Sequence, residues 1–61
     1  MQHYRAFELD RNRHIVGKHD LICTDDESAK QQAARLVDGY DVELWQGERR
    51  IAFFKRKAGP A

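Results

Sequence analysis

The stretch TDDESAKQQAARLVDG, residues 24–39, decides the fold of this 61-residue chain. Thr24 followed three positions later by Glu27 has the spacing of a capping box. In that motif the Thr hydroxyl accepts from the amide of residue 27 and the Glu carboxylate reaches back to the cap amide. Asp25, Asp26 and Glu27 set negative charge at the positive end of the helix dipole. Ala29, Ala33, Leu36 and Val37 then recur at helical spacing as one apolar stripe. Gly39 is a natural C-terminal stop. Two small alanines in the stripe let such a helix lie close to a sheet.

Working outward, both flanks read as strands. His3 to Asp10 carries Tyr4, Phe7 and Leu9, all good strand residues. Arg11-Asn12-Arg13 is a polar break, with Asn12 the residue best suited to a left-handed conformation. Ile15 to Cys23 is a second strand, interrupted near Gly17, where a bulge or a close backbone approach is expected. The two segments predict an antiparallel hairpin. Beyond the helix, Asp41 to Gln46 alternates, with Val42 and Leu44 facing one way and Glu43 and Trp45 the other. Gln46-Gly47-Glu48 is a turn, and Arg50 to Arg56 is a further strand. The predicted fold is α+β with order β-β-α-β-β: a four-stranded, mainly antiparallel sheet with one helix packed on one face. Residues 1–56 form a single small domain, and 57–61, with Gly59-Pro60, a flexible C-terminal tail.

One helix covers only one face of a four-stranded sheet. The alternation suggests Phe7, Leu9, Ile15, Val42, Leu44, Ile51 and Phe53 for the covered face. The open face then carries Tyr4, Trp45, Ala52 and Phe54, and these four form the expected interface. An antiparallel sheet can show one face to water, but a Trp and a Phe there exceed what such a face needs, and contiguous exposed apolar patches mark interaction sites. A homodimer joined about a two-fold axis through open faces or edge strands, or contact with another protein, is the leading expectation. Two alternatives stand beside it: no partner at all, with the aromatics covered by the tail and by long Arg or Lys stems, and a nucleic-acid surface. Trp45 and Phe54 would stack on bases while Arg49, Arg50, Lys55, Arg56 and Lys57 meet phosphates.

Charge bears on that choice. Net charge is only +1, whereas nucleic-acid binders carry a dominant basic footprint. The average hides a gradient: residues 1–18 carry +2, residues 19–48 carry −6 and residues 49–61 carry +5. Such polarity can orient a partner or a second copy of the chain. Cys23 is the sole cysteine, so no intramolecular disulfide supports the core, which fits a reducing compartment. No apolar run has the length of a signal peptide or membrane span. The chain is expected in the cytoplasm, with no membrane partner.

Chemistry-bearing constellations are sparse. His3, His14, His19 and Cys23 are the soft ligands. His14 and His19 fall on opposite sides of a regular strand, and His19 and Cys23 stand roughly 13 Å apart in extended chain, too far to share a zinc ion. No metal or cofactor is expected. Cys23 reads as a small buried hydrophobe. Ser28 belongs to a first helical turn, and Asp25, Asp26 and Glu27 serve the helix dipole rather than acid–base chemistry. No Gly-rich phosphate loop occurs, and 61 residues leave little room for a small-molecule pocket. The expectation is a non-enzymatic protein with no small-molecule substrate.

Tyr4, Phe7, Leu9-Asp10 and His14-Ile15-Val16, set beside Asp38-Gly39 and Val42-Glu43-Leu44-Trp45-Gln46-Gly47, give most of the chain a pattern that resembles small uncharacterised proteins of alphaproteobacteria. That resemblance implies the fold and carries no catalytic motif. A hairpin leading to Cys23-Thr24 and an acidic, alanine-rich helix also looks like HicB-type antitoxins. That likeness implies a regulatory partner protein. The acid-glycine turn and the Pro-Gly pair before the Cys of that family are absent here, and only two strands precede the helix.

Overall fold

A computed structural model describes residues 1–56. The elements follow the order β1 (Gln2–Leu9), β2 (Ile15–Cys23), α1 (Asp26–Leu36), β3 (Asp41–Gln46) and β4 (Arg49–Phe54). The four strands form one open sheet in the order β2-β1-β3-β4, antiparallel throughout. The helix packs on one face, across β2, β3 and β4. This is the α+β fold predicted. The tail segment 57–61 lies outside the described residues.

The ends of the helix differ from expectation. Asp25, not Thr24, is the N-cap: its Oδ1 accepts from the Ser28 amide at 2.8 Å. The carboxylate is as good a cap as the Thr hydroxyl and adds its charge at the dipole's positive end. At the other end the helix stops at Leu36, ahead of Gly39. Val37 turns to extended backbone and buries its side chain in the core. Burying that side chain outweighs one more helical turn, so Gly39 is left in the connection.

The β1–β2 hairpin is organised by Asp10. Its Oδ1 accepts from the amides of Asn12 (2.8 Å) and His14 (2.9 Å). Those bonds, the His14 amide's first, hold the Asp10 carboxyl below its usual range. The left-handed residue is Arg13 (φ 66°), not Asn12: the Arg13 amide closes a turn on the Asp10 carbonyl at 3.0 Å, and in such a hairpin loop the left-handed residue is the one that follows the two central positions. The expected irregularity near Gly17 is present. Glu8 pairs with Gly17 but Leu9 with Ile15, so Val16 is the extra residue of a bulge. A Cβ at Gly17 would lie 2.5 Å from Glu8 Oε1.

The core is a single cluster of Tyr4, Ala6, Cys23, Ala29, Ala33, Val37, Val42 and Leu44, with Leu21, Leu36, Ile51, Ala52 and Phe54 packed against it. The expected faces are therefore corrected at Tyr4, Phe7, Leu9, Ile15, Ala52, Phe53 and Phe54. Ala6 pairs with Leu44 and Tyr4 with Leu21, so the even-numbered residues of β1 face the helix. Phe7 stands on the other face, and Leu9, buried but outside the cluster, follows it by alternation. In β4 the register shifts between Leu44 and Trp45, which leaves Ile51 as the bulged residue and pairs Leu44 with Ala52 and Val42 with Phe54. Ala52 and Phe54 thus line the core, and Phe53 faces away. A one-residue change of register moves a whole strand's side chains to the opposite face. The small Ala6 lies in the same cluster as Ala29 and Ala33, where close helix–sheet approach leaves no room for a Phe.

Candidate interaction surface

Cross-strand partners share a face, so the ladder registers lay out the side of the sheet away from the helix. One row runs Lys18, Phe7, Glu43, Phe53; the next runs Asp20, Arg5, Trp45, Arg50; His3 and Ile22 follow. Aromatic and charged side chains are therefore interleaved on this face. The Trp45 indole N–H donates to Glu43 Oε1 (3.2 Å), and Arg50 reaches the other oxygen of that carboxylate at 3.5 Å. Arg5 Nε donates to Asp20 Oδ1 at 3.1 Å. Arg13 from the hairpin turn stands over the Phe53 ring, 5.2 Å from its centroid, a cation–π geometry. A shallow groove of about 280 Å³ opens here, lined by His3, Tyr4, Arg5, Phe7, Trp45 and Gly47.

Of the four expected interface residues, Trp45 alone stands on this face. Tyr4 is 1% exposed, and Ala52 and Phe54 are half-buried against the core. The aromatic set on the open face is Phe7, Trp45 and Phe53, two of which the alternation argument had placed under the helix.

The basic residues are scattered rather than assembled. Arg49 lies on the helix side, where its guanidinium grips both oxygens of Asp26 (3.1 and 3.2 Å). Arg50 is on the open face, and Lys55 is exposed beyond β4. The Arg56 amide donates to the buried Asp41 carboxylate at 2.6 Å. Lys57 lies outside the described residues.

Asp26 joins helix to sheet. It accepts from the Tyr4 hydroxyl at 2.8 Å as well as from Arg49. Those two partners, Arg49 first, hold its carboxyl below the usual range. Burial, and then the bond to Asp26, push the Tyr4 phenol up to about 12. The same carboxylate raises Arg49 above its ordinary value. This triad pins the helix N-terminus over the sheet.

The histidines each find one carboxylate. His19 Nε2 lies 2.8 Å from Glu8 Oε1, His14 Nδ1 lies 3.7 Å from Asp10, and His3 Nε2 lies 4.0 Å from Asp20. Cys23 is buried. Among the described residues no three His, Cys, Asp or Glu side chains gather as metal ligands, and no helix is long and apolar enough to cross a membrane.

Edge strand β2 is the feature the composition did not single out. Its far side has no strand neighbour among the described residues. Ile15, Val16 and Ile22 are 61%, 48% and 62% exposed. The available signal was the run IVGKHDLI, which offers apolar side chains on both faces of a strand that has only one covered face. Searched against known proteins, the chain matches no family model, no curated protein and no solved structure.

Proposed function

We propose that the chain is a non-enzymatic protein-interaction module of the cytoplasm that self-associates. The observation that carries this reading is the distribution of exposed apolar side chains. Ile15, Val16 and Ile22 lie on one edge strand, and Phe53 shares with Phe7 and Trp45 a sheet face that the single helix does not reach. A domain this small buries only roughly 60% of its unfolded surface, and association is a usual way to make good the shortfall. An exposed apolar edge strand is also a template for another strand. Sedimentation equilibrium from low to high micromolar concentration tests the reading. A concentration-dependent dimer supports it, and a monomer throughout the range removes it.

A second reading has one specific observation in its favour. Phe7, Trp45 and Phe53 share the open face with Arg5, Arg13, Lys18 and Arg50, against Asp20 and Glu43. Aromatic platforms among excess cations suit single-stranded nucleic acid. Titration of short single-stranded RNA and DNA at low salt, read by Trp45 fluorescence, decides it. Binding must weaken steeply with salt, and an unchanged signal at low salt rejects this reading.

A further inference from the structure

The edge strand is complementary to itself, and from this we infer that two copies join β2 to β2 about a two-fold axis through His19, making one continuous eight-stranded sheet. The inference rests on the self-association reading and names its contact.

Three observations select β2. It is an edge strand of nine residues, against six in β4. It carries three of the exposed large apolar side chains and no proline. The opposite edge, β4, carries one such exposed side chain, Phe53.

The register follows from charge and alternation. Two identical strands in one sheet pair antiparallel about an axis perpendicular to the sheet, so opposite residues share a face and the axis passes through a residue. With the axis at His19, Lys18 of each copy lies opposite Asp20 of the other, twice. Val16 lies opposite Ile22, also twice, joining four exposed apolar side chains on the open face. On the helix face Leu21 lies opposite Gly17, where no side chain competes and the Glu8 carboxylate fills the space. Moving the axis to Lys18 sets two lysines opposite each other and Val16 against Asp20. Moving it to Asp20 sets two aspartates opposite each other and Lys18 against Ile22. Like charges directly opposite destabilise a ladder, and opposite charges and apolar pairs stabilise it.

The charged groups around the seam support the same register. On the open face Asp20 already accepts from Arg5, with His3 4.0 Å away. Both side chains of the Arg5–Asp20 pair are about half exposed, so the carboxylate has an open side for a second cation. On the helix face each His19 keeps Glu8 as its neighbour at 2.8 Å, so the two imidazoles that meet at the axis each have a carboxylate at hand. In the assembled sheet the two helices lie on one side, and both sets of Phe7, Trp45 and Phe53 lie on the other.

Two measurements on the full chain test the arrangement. In a Cys23→Ser background, His19→Cys places two thiols across the axis. Opposed Cα atoms in an antiparallel ladder stand roughly 4.5–5.5 Å apart, within disulfide reach. Mild oxidation at micromolar concentration is expected to give a covalent dimer, and Phe53→Cys in the same background is not. The second measurement uses charge and needs no new thiol. Lys18→Asp and Asp20→Lys are each expected to weaken self-association about tenfold. An equimolar mixture of the two is expected to form a mixed dimer within about threefold of the wild-type affinity, because both cross-strand pairs then have opposite sign. If His19→Cys fails to fold by circular dichroism, the mixture decides. A wild-type dimer without the His19→Cys cross-link and without mixed-dimer recovery overturns the β2 arrangement and leaves self-association standing. A monomeric wild-type chain overturns both.

Discussion

Ala33→Leu tests the helix–sheet spacing on which every face assignment depends. Ala33 has no exposed surface and shares one cluster with Ala6, Ala29, Val42 and Leu44. Leucine adds three carbons at this fully buried site. Overpacking of this kind costs about 1–3 kcal/mol, although Leu and Ala are both strong helix formers. A chain this short has a total stability of roughly 3–9 kcal/mol. A loss of about 2 kcal/mol is then a large share of it, and it lowers Tm by roughly 10–15 °C. Ala34→Leu, one position along on the exposed side of α1, changes helix propensity by only about 0.2 kcal/mol and is expected to leave Tm within about 2 °C of wild type. Thermal melts followed by circular dichroism at 222 nm compare the two. If the variants melt together, the helix does not lie close over Ala6 and Leu44, and the assignment of Phe7 to the open face falls with it.

Gly17→Ala is expected to push the Glu8 carboxylate off His19, because the new Cβ would stand 2.5 Å from Glu8 Oε1. Chemical denaturation should show a loss of about 1 kcal/mol that disappears in a Glu8→Ala background, a coupling of the size neighbouring residues show. Asp26 has a lowered folded pKa, so its contribution is present above the unfolded value of about 3.9 and is lost as pH falls through the lower folded value. Urea midpoints measured through the acid range should fall less steeply for Asp26→Asn than for wild type. Tyr4 has the opposite sign: its folded value of about 12 keeps its contribution intact below about 10 and removes it as pH rises towards 12, which absorbance titration at 295 nm will follow. Trp45 lies away from the β2 edge, so iodide should quench its fluorescence equally in dilute monomer and concentrated dimer. Protection on concentrating the protein would place the contact on the open face instead.

How much of this was legible in the sequence differs by element. Residues 24–39 were enough for a helix of about the right length, because capping charge and an apolar stripe are local properties. The alternation on either side was enough for strands, turns and their order. Gly17 signalled both a bulge and a close approach, and both are present. The precise cap was less legible, since Thr24 and Asp25 are adjacent residues of similar capping power, and their competition is settled by how the chain leaves β2.

Which side of each strand meets the helix was decided only by tertiary structure. In β1 the sequence offers Phe7 and Leu9 on one side and Tyr4 and Ala6 on the other, and hydrophobicity favours the first pair. The fold takes the second: Ala6 fits the close approach of Ala29 and Ala33, and Tyr4 reaches Asp26 with its hydroxyl. In β4 a bulge at Ile51 reverses the roles of Phe53 and Phe54, and no local property of the residues dictates that one-residue shift. Strand order, which leaves β2 at an edge with Val16, Lys18, Asp20 and Ile22 unpaired on its outer side, is likewise non-local. Helix, strand and turn propensities act over a few residues, whereas facing and edge position depend on distances between segments that the chain brings together only on folding.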